Sequence, residues 1–120
     1  MIKTPYLLFL GDAPDQLAAK VAQGVKDWRP SICLGQLKLP ECKAELNLKN
    51  YTLEEAKKRG AKTLVIGVAN RGGKFSDSWK ETLCNAIELK FDIASGLHNL
   101  LTEDKDLVNL SKLNHCDLID

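Results

Sequence analysis

The chain reads as an α/β protein: an open, doubly wound three-layer structure with helices on both faces of a four- to five-stranded parallel sheet, ordered 2-1-3-4-5. Three observations predict this. Short apolar runs alternate with segments of helical period along all 120 residues. Several of the runs are continuously apolar rather than alternating, as strands buried on both faces are. The connections between them are long enough to hold crossover helices, which parallel strands require. With right-handed crossovers, that order puts a topological switch point between strands one and three, and ligands favour the crevice outside the carboxyl ends there.

Tyr6 to Leu10 is a continuous apolar run stopped by Gly11, and supplies strand one. Pro5 stands just before it, where a missing N–H does least damage. Asp12-Ala13-Pro14-Asp15 follows, with Asp12 as N-cap, and helix one runs from Ala13 or Pro14 to Trp28. Its apolar stripe is Leu17, Val21, Val25 and Trp28, widened by Ala18 and Ala22, and Gly24 permits close packing on the sheet. Ser31 to Leu37 is strand two. Lys38 to Tyr51 shows no sustained period and reads as an irregular excursion. Thr52-Leu53-Glu54-Glu55 matches a capping box, and Lys57-Lys58-Arg59-Gly60 closes the short helix it opens.

Thr63 to Lys74 (T-L-V-I-G-V-A-N-R-G-G-K) is the stretch on which the chain is centred. Its first half is strand three, and its second half flips to a glycine-rich cationic turn. Ser76 or Asp77 then starts a helix whose inward face is Trp79, Leu83, Ala86 and Ile87. Phe91 to Ser95 is strand four, breaking at Gly96, with Leu97-His98-Asn99 in the next turn. A helix from near Glu103 to Leu113 follows, with Leu107, Leu110 and Leu113 apolar, and Cys116 to Ile119 makes a short fifth strand. Residues 1–120 therefore form one domain.

Composition narrows the function. Seventeen basic against sixteen acidic residues leave a formal charge of +1, which gives no general attraction to nucleic acid or to an anionic membrane. Tyr6 to Leu10 is far too short for a signal-peptide core or a span. Cys33, Cys42, Cys84 and Cys116 contain no C-x-x-C pair, so no zinc site is expected. Reduced, mostly buried thiols and a cytoplasmic location are the expectation.

Two phosphate motifs are tested and fail. Gly67 to Gly72 has the first spacing of G-x-x-x-x-G-K-[ST], but Gly73 stands where lysine is needed and Phe75 follows Lys74. G-x-G-x-x-G is absent after strand one, where Gly11 is followed by D-A-P-D, and Asp12 would repel a pyrophosphate. Asn70-Arg71-Gly72-Gly73 still suits an anion: glycines let successive N–H groups converge, and Arg71 can grip a carboxylate or phosphate bidentately. An ordinary polar turn is the competing reading. His98 suits a general base or acid, against a loop histidine satisfying backbone carbonyls. His115 reads as a cation at a helix C-terminus. Gly11, Asp12, Asn70, Arg71, Gly72, Gly73 and Asn99 are thus the candidate substrate- and anion-binding residues, and His98 the candidate catalytic one.

Three stretches, Tyr6 to Pro30 (Y-L-L-F-L-G-D-A-P-D-Q-L-A-A-K-V-A-Q-G-V-K-D-W-R-P), Leu64 to Gly73 (L-V-I-G-V-A-N-R-G-G) and Asp92 to Asn99 (D-I-A-S-G-L-H-N), resemble the amino-terminal domain of DgcN-type proteins. These are D-glutamate N-acetyltransferases, long catalogued as a domain of unknown function. The resemblance implies a Rossmann-like fold, a second domain similar to P-loop NTPases as partner, and acetyl transfer from acetyl-CoA to the amino group of D-glutamate. No tightly bound cofactor is implied. Such chemistry needs a cationic grip on carboxylates, a base for the ammonium and donors for a tetrahedral oxyanion, which Arg71, His98 and the Gly72-Gly73 amides suit in turn. Two other readings stay open: a non-catalytic module for a nucleotide or small anion, and a structural domain that builds a homo-oligomer or packs on the P-loop domain.

Overall fold

A computed structural model describes residues 2–69, 75–95 and 101–120. Five strands, β1 (Tyr6–Gly11), β2 (Cys33–Lys38), β3 (Thr63–Ile66), β4 (Asp92–Ser95) and β5 (Leu118–Ile119), form one sheet in the order β2-β1-β3-β4-β5. Every pairing is parallel. Four helices connect them: α1 (Lys20–Trp28), α2 (Leu53–Lys58), α3 (Asp77–Glu88) and α4 (Lys105–Asn114). The doubly wound reading and its strand order hold.

Register explains the buried core. Leu7 pairs with Leu64 and Leu64 with Ile93, while Phe9 pairs with Ile66 and Ile66 with Ser95. Those rows share one face, because side chains two apart on a strand point the same way. Trp79 of α3 meets Phe9 edge-on on that face, with ring centroids 5.3 Å apart. As expected, Trp79, Leu83, Ala86 and Ile87 are the buried residues of α3. The opposite face carries Leu8, Leu10, Val65 and Ala94, and α1 lies there.

Helix ends follow local chemistry. Thr52 Oγ1 accepts from the Glu55 N–H at 3.1 Å and Glu55 Oε1 accepts from the Thr52 N–H at 2.9 Å, which completes the capping box of α2. Gly60 sits at φ +96°, the left-handed stop that glycine permits. Ser76 caps α3, and His115 ends α4 in a left-handed conformation. Asp104 caps α4, so that helix begins at Lys105 rather than near Glu103.

Helix one differs from expectation in three ways. It starts later: a 3₁₀ turn over Leu17–Ala19 leads into α1, and Asp15 Oδ1, not Asp12, accepts the first-turn Ala18 N–H at 2.8 Å. Asp12 is unavailable as a cap because its carboxylate is engaged by Trp79. The helix is also rotated. Ala19 and Ala22 are buried, whereas Leu17, Val21 and Trp28 are exposed. The cause is distance. The Ala22 N–H donates to the Gly67 carbonyl at 3.1 Å and the Ala69 N–H to the Ala18 carbonyl at 2.8 Å. A helix bonded to the sheet through its backbone leaves room only for alanine between them. Finally, the glycine at the close approach is Gly67, while a Cβ at Gly24 would meet nothing within 4 Å. On α4 the stripe fails at its end too: Leu107 is buried but Leu113 is exposed.

Residues 39–51 are irregular as expected, yet tightly tied. Gln36, a buried polar side chain in an apolar strand, donates through Nε2 to Glu45 at 2.6 Å and Asn50 at 2.9 Å. Its Oε1 accepts from the Leu46 N–H at 3.0 Å. Glu45 also accepts from Lys38 and from the Asn47 N–H. The Lys38 hydrogen bond first, then those from Gln36 and Asn47 and the Lys38 charge, lower the Glu45 pKa to about 2 against an opposing desolvation second in size only to the Lys38 bond. A depressed carboxylate contributes stability that is complete above its unfolded value and lost as pH falls through the folded one. The protection factors of the Leu46 and Asn47 amides, taken against the intrinsic exchange rate at each pH, should therefore hold above pH 5 and fall as pH drops from about 4.5 toward about 2. Glu45→Gln should remove that pH dependence.

Candidate functional site at the carboxyl edge of the sheet

The candidate site is built by three neighbouring parallel strands that end on one edge. Phe9, Ile66 and Ser95 are in register, so the segments after β1, β3 and β4 leave the sheet side by side. This is the crevice where a doubly wound sheet presents its ligands. Of the sequence-predicted residues, Gly11 and Asp12 lie on this edge. Asn70, Arg71, Gly72, Gly73, His98 and Asn99 lie outside the described residues. Their flanks are described, and both depart from this edge.

Gly11 has φ +54°, and a Cβ there would fall 2.8 Å from the Trp79 ring. The bare backbone lets β1 turn directly beneath the indole. Trp79 Nε1 then donates to Asp12 Oδ1 at 2.8 Å, across 67 positions of sequence. Trp79 is thus both a core residue against Phe9 and the group that fixes the Asp12 carboxylate at the strand ends. Phe75 lies tilted against the same indole, centroids 6.3 Å apart. The segment 70–74 therefore leaves from Ala69, held on Ala18, and re-enters at Phe75, packed on Trp79. The second of these anchors shares the indole that holds Asp12.

The loop after β1 is fastened from the other side. Leu39 N–H donates to the Gly11 carbonyl at 2.9 Å and Lys43 N–H to the Ala13 carbonyl at 2.7 Å. Gln16 exchanges two hydrogen bonds with the Glu45 backbone, both 2.9 Å. The irregular excursion thereby serves as a brace for the Gly11–Gln16 turn. After β4, residues 96–100 re-enter at Leu101, whose N–H donates to Asp120, and Thr102 Oγ1 donates to the same carboxylate at 2.8 Å.

A second concavity, a cleft of about 490 Å³, lies farther along the same edge, between the end of β2, the start of α2 and α3, with its Lys38 paired in register with Gly11. Lys38, Tyr51, Thr52, Glu54, Thr82 and Asn85 are among its lining. It excludes Gly11 and Asp12. Lys38 is already paired with Glu45, Thr52 and Glu55 with each other, and Thr82 Oγ1 with the Ser78 carbonyl. Lys38, Thr52, Glu55 and Thr82 are thus used by the fold, and the strand-end crevice has the topological position that favours a ligand.

Cysteine chemistry gains no support. Burial pushes the thiols of Cys33, Cys84 and Cys116 upward, away from the reactive thiolate. Among the described residues no group of three His, Cys, Asp or Glu side chains is placed to hold a metal ion. No described helix is long and apolar enough to cross a membrane. Sequence reasoning missed Trp79 and Gln16 as builders of the site. Trp79 was legible only as a core residue, and nothing local marks its partner; Gln16 carries no signal of its bond to residue 45.

Comparison with known proteins agrees with this architecture. The model of a family described as a domain of unknown function, DUF1611_N, Rossmann-like domain, matches residues 39–120. A protein of Tritonibacter scottomollicae named D-glutamate N-acetyltransferase is 64% identical over 112 residues, covering 93% of this chain and 34% of its own length. One of the same name from Pseudoalteromonas sp. is 44% identical over 119 residues, covering 99% of this chain and 36% of its own length. The chain thus spans about a third of the length of these relatives. Homoserine dehydrogenase of S. aureus superposes on 98% of the chain and 32% of its own with a TM-score of 0.58 at 16% identity, a likeness of fold alone.

Proposed function

The chain belongs to the DUF1611_N family of Rossmann-like domains, and from that premise we propose that it forms one wall of the active site of a D-glutamate N-acetyltransferase. Two relatives of that name, similar over nearly the whole chain, support the activity. The observation that carries the assignment to this region is the Asp12 carboxylate, fixed by the Trp79 indole on which Phe75, the residue after the segment 70–74, also packs. A carboxylate held at a strand-end crevice suits the ammonium group of an amino acid, and Arg71, four positions before Phe75 in sequence, suits a substrate carboxylate. Acetyl-CoA is the proposed co-substrate and acetyl donor, and a P-loop domain in the remaining two thirds of the relatives' length is the proposed partner.

In this reading Asp12 first receives the substrate as its ammonium form, while Arg71 with Asn70 and Asn99 fixes the carboxylates. His98 takes one proton from nitrogen, and the free amine attacks the thioester carbonyl. The new C–N bond forms as the carbonyl oxygen takes negative charge, which the Gly72 and Gly73 N–H groups and the Gly11 turn surround. Collapse breaks the C–S bond, the thiolate leaves, and one of the two protons on nitrogen passes to it while the other stays on the amide, giving N-acetyl-D-glutamate and the free thiol. Binding of a nucleotide or small anion without chemistry uses the same groups and stops at the first step.

The test uses a polypeptide of the relatives' full length that carries this chain. Arg71→Ala should lower kcat/KM for acetyl-CoA-dependent acetylation of D-glutamate by roughly 10²-fold, mostly through KM, as expected for loss of a bidentate charged contact. Unchanged kinetics remove Arg71 from the site. If the unaltered protein transfers no acetyl group yet D-glutamate or CoA binds, the binding-module reading replaces catalysis.

A further inference from the structure

We propose that the cleft at the end of β2 binds the pantetheine arm of the acyl donor, the neutral, amide-bearing chain that carries the thioester. The inference rests on the acetyl-transfer reading of the neighbouring crevice and adds where the donor lies. Position comes first. Lys38 in the cleft wall is in register with Gly11, and adjacent parallel strands lie about 4.8 Å apart. A thioester presented at the Gly11–Asp12 turn therefore has the cleft one strand away, on the same edge of the sheet. The volume of about 490 Å³ is that of a small-molecule site, which runs from about 300 to 1,000 Å³.

The lining selects among the parts of such a donor. Its one cation is Lys38, which Glu45 already holds. Glu54 is exposed and has no partner among the described residues. Phosphates would meet a free carboxylate there and no free counter-charge. That disfavours the nucleotide end of CoA and leaves the neutral end. Leu37, Leu39 and Leu53 give the cleft an apolar wall, which suits the methylene and methyl groups of pantetheine.

Two side-chain amides answer the two amides of the arm. The orientation of Asn50 is forced by a chain of hydrogen bonds. Gln36 Oε1 accepts from the Leu46 N–H, so Gln36 turns Nε2 toward Asn50, and Asn50 must meet it with Oδ1, at 2.9 Å. Nδ2 keeps both protons for an acceptor in a ligand. Asn85, exposed on the α3 wall, has no side-chain partner among the described residues. It can donate to one amide carbonyl and accept from one amide N–H. Free amides, an apolar wall and no spare cation suit a neutral chain of amides better than a nucleotide or an amino acid.

Amide chemical shifts of the 120-residue chain test this directly, with reduced pantetheine as the probe. Its addition should shift the side-chain amides of Asn50 and Asn85 and the backbone amides of Leu39 and Leu53. CoA should shift the same groups, and adenosine bisphosphate, its nucleotide end, should shift none of them. Asn85→Leu, a substitution on an exposed helix position, should weaken pantetheine roughly tenfold, which is what one hydrogen bond supplies. In a polypeptide of the relatives' full length, the same variant should raise KM for acetyl-CoA about tenfold and leave KM for D-glutamate unchanged. Pantetheine that leaves those groups unmoved, or adenosine bisphosphate that moves them instead, overturns the proposal. So does N-acetyl-dialanine amide if it moves them as strongly, because the cleft then reads the amides of any chain. Acetyl transfer by the full-length protein with a silent cleft removes the arm site and leaves the proposed activity standing. Pantetheine bound in the cleft with no transfer at all keeps the arm site and removes the activity.

Discussion

Replacing Gly67 with valine should lower stability by about 3 kcal/mol or more, among the larger losses any single addition of methyl groups can cause here. Even a bare Cβ at this position would lie 2.3 Å from Ala22 Cβ, 2.7 Å from Ala22 Cα and 2.9 Å from Ala22 N. Two of those atoms are backbone, so no rotamer change relieves the clash. The helix must retreat, and its retreat breaks the 3.1 Å bond from the Ala22 N–H to the Gly67 carbonyl and the 2.8 Å bond from the Ala69 N–H to Ala18. Both groups would then be left unpaired near the core, where each costs about 1–3 kcal/mol. Gly24→Ala on the same helix is the contrasting control. It meets nothing and should raise helix stability by about 1 kcal/mol in dilute solution. Urea unfolding of the two variants compares them directly; equal midpoints would mean α1 is not held by its backbone. Because Ala69 precedes the cationic segment 70–74, Gly67→Val should also displace the start of that segment and lower any activity that depends on Arg71.

The same pair of residues shows why part of the fold was legible in the sequence and part was not. Elements governed by local chemistry were readable: the Thr52 capping box, the Gly60 stop and the inward face of α3 all follow from neighbours within a few positions. The strand order followed too, since continuous apolar runs and crossover lengths leave few topologies. The orientation of α1 did not follow, because an apolar stripe says which face avoids water, not how much room the sheet offers. The pertinent signal was the row Ala18, Ala19 and Ala22 together with the glycine of V-I-G-V, small residues on both sides of one contact. Asp12 misled for a related reason. An aspartate after a strand is a good cap by local rules, but its partner, Trp79, lies 67 positions away. Gln36 carried a weaker hint: one amide in an apolar strand must be satisfied from somewhere, and the unstructured-looking residues 39–51 supply its partners. At the candidate site, the sequence singled out the strand ends where Gly11 and Asp12 lie, and the structure added the residue that holds Asp12, Trp79.

That residue is the subject of the other large expected effect. Trp79→Ala should cost about 4 kcal/mol, as truncation of a buried tryptophan does. The edge-on contact with Phe9, the tilted contact with Phe75 and the roof over Gly11 all disappear together. Global unfolding would then mask any effect on the site, so Trp79→Phe is the informative partner. A phenyl ring keeps most of the apolar burial but has no N–H for Asp12, a loss worth about 1–2 kcal/mol for a hydrogen bond to a charged group. If the Asp12 carboxylate receives the substrate ammonium, its orientation matters more than its presence. Trp79→Phe should then reduce kcat/KM in a polypeptide of the relatives' length by at least about tenfold while the protein stays folded, its unfolding midpoint lowered only by what the lost hydrogen bond accounts for. Asp12→Asn, which retains the acceptor for the indole and removes the charge, should give a comparable or larger loss with an intact Trp79 contact. Full activity in both variants would leave Asp12 as a purely structural partner of the indole, and would move the ammonium subsite elsewhere along the strand ends. Loss in Asp12→Asn alone would instead mean that charge suffices and that Trp79 contributes only packing.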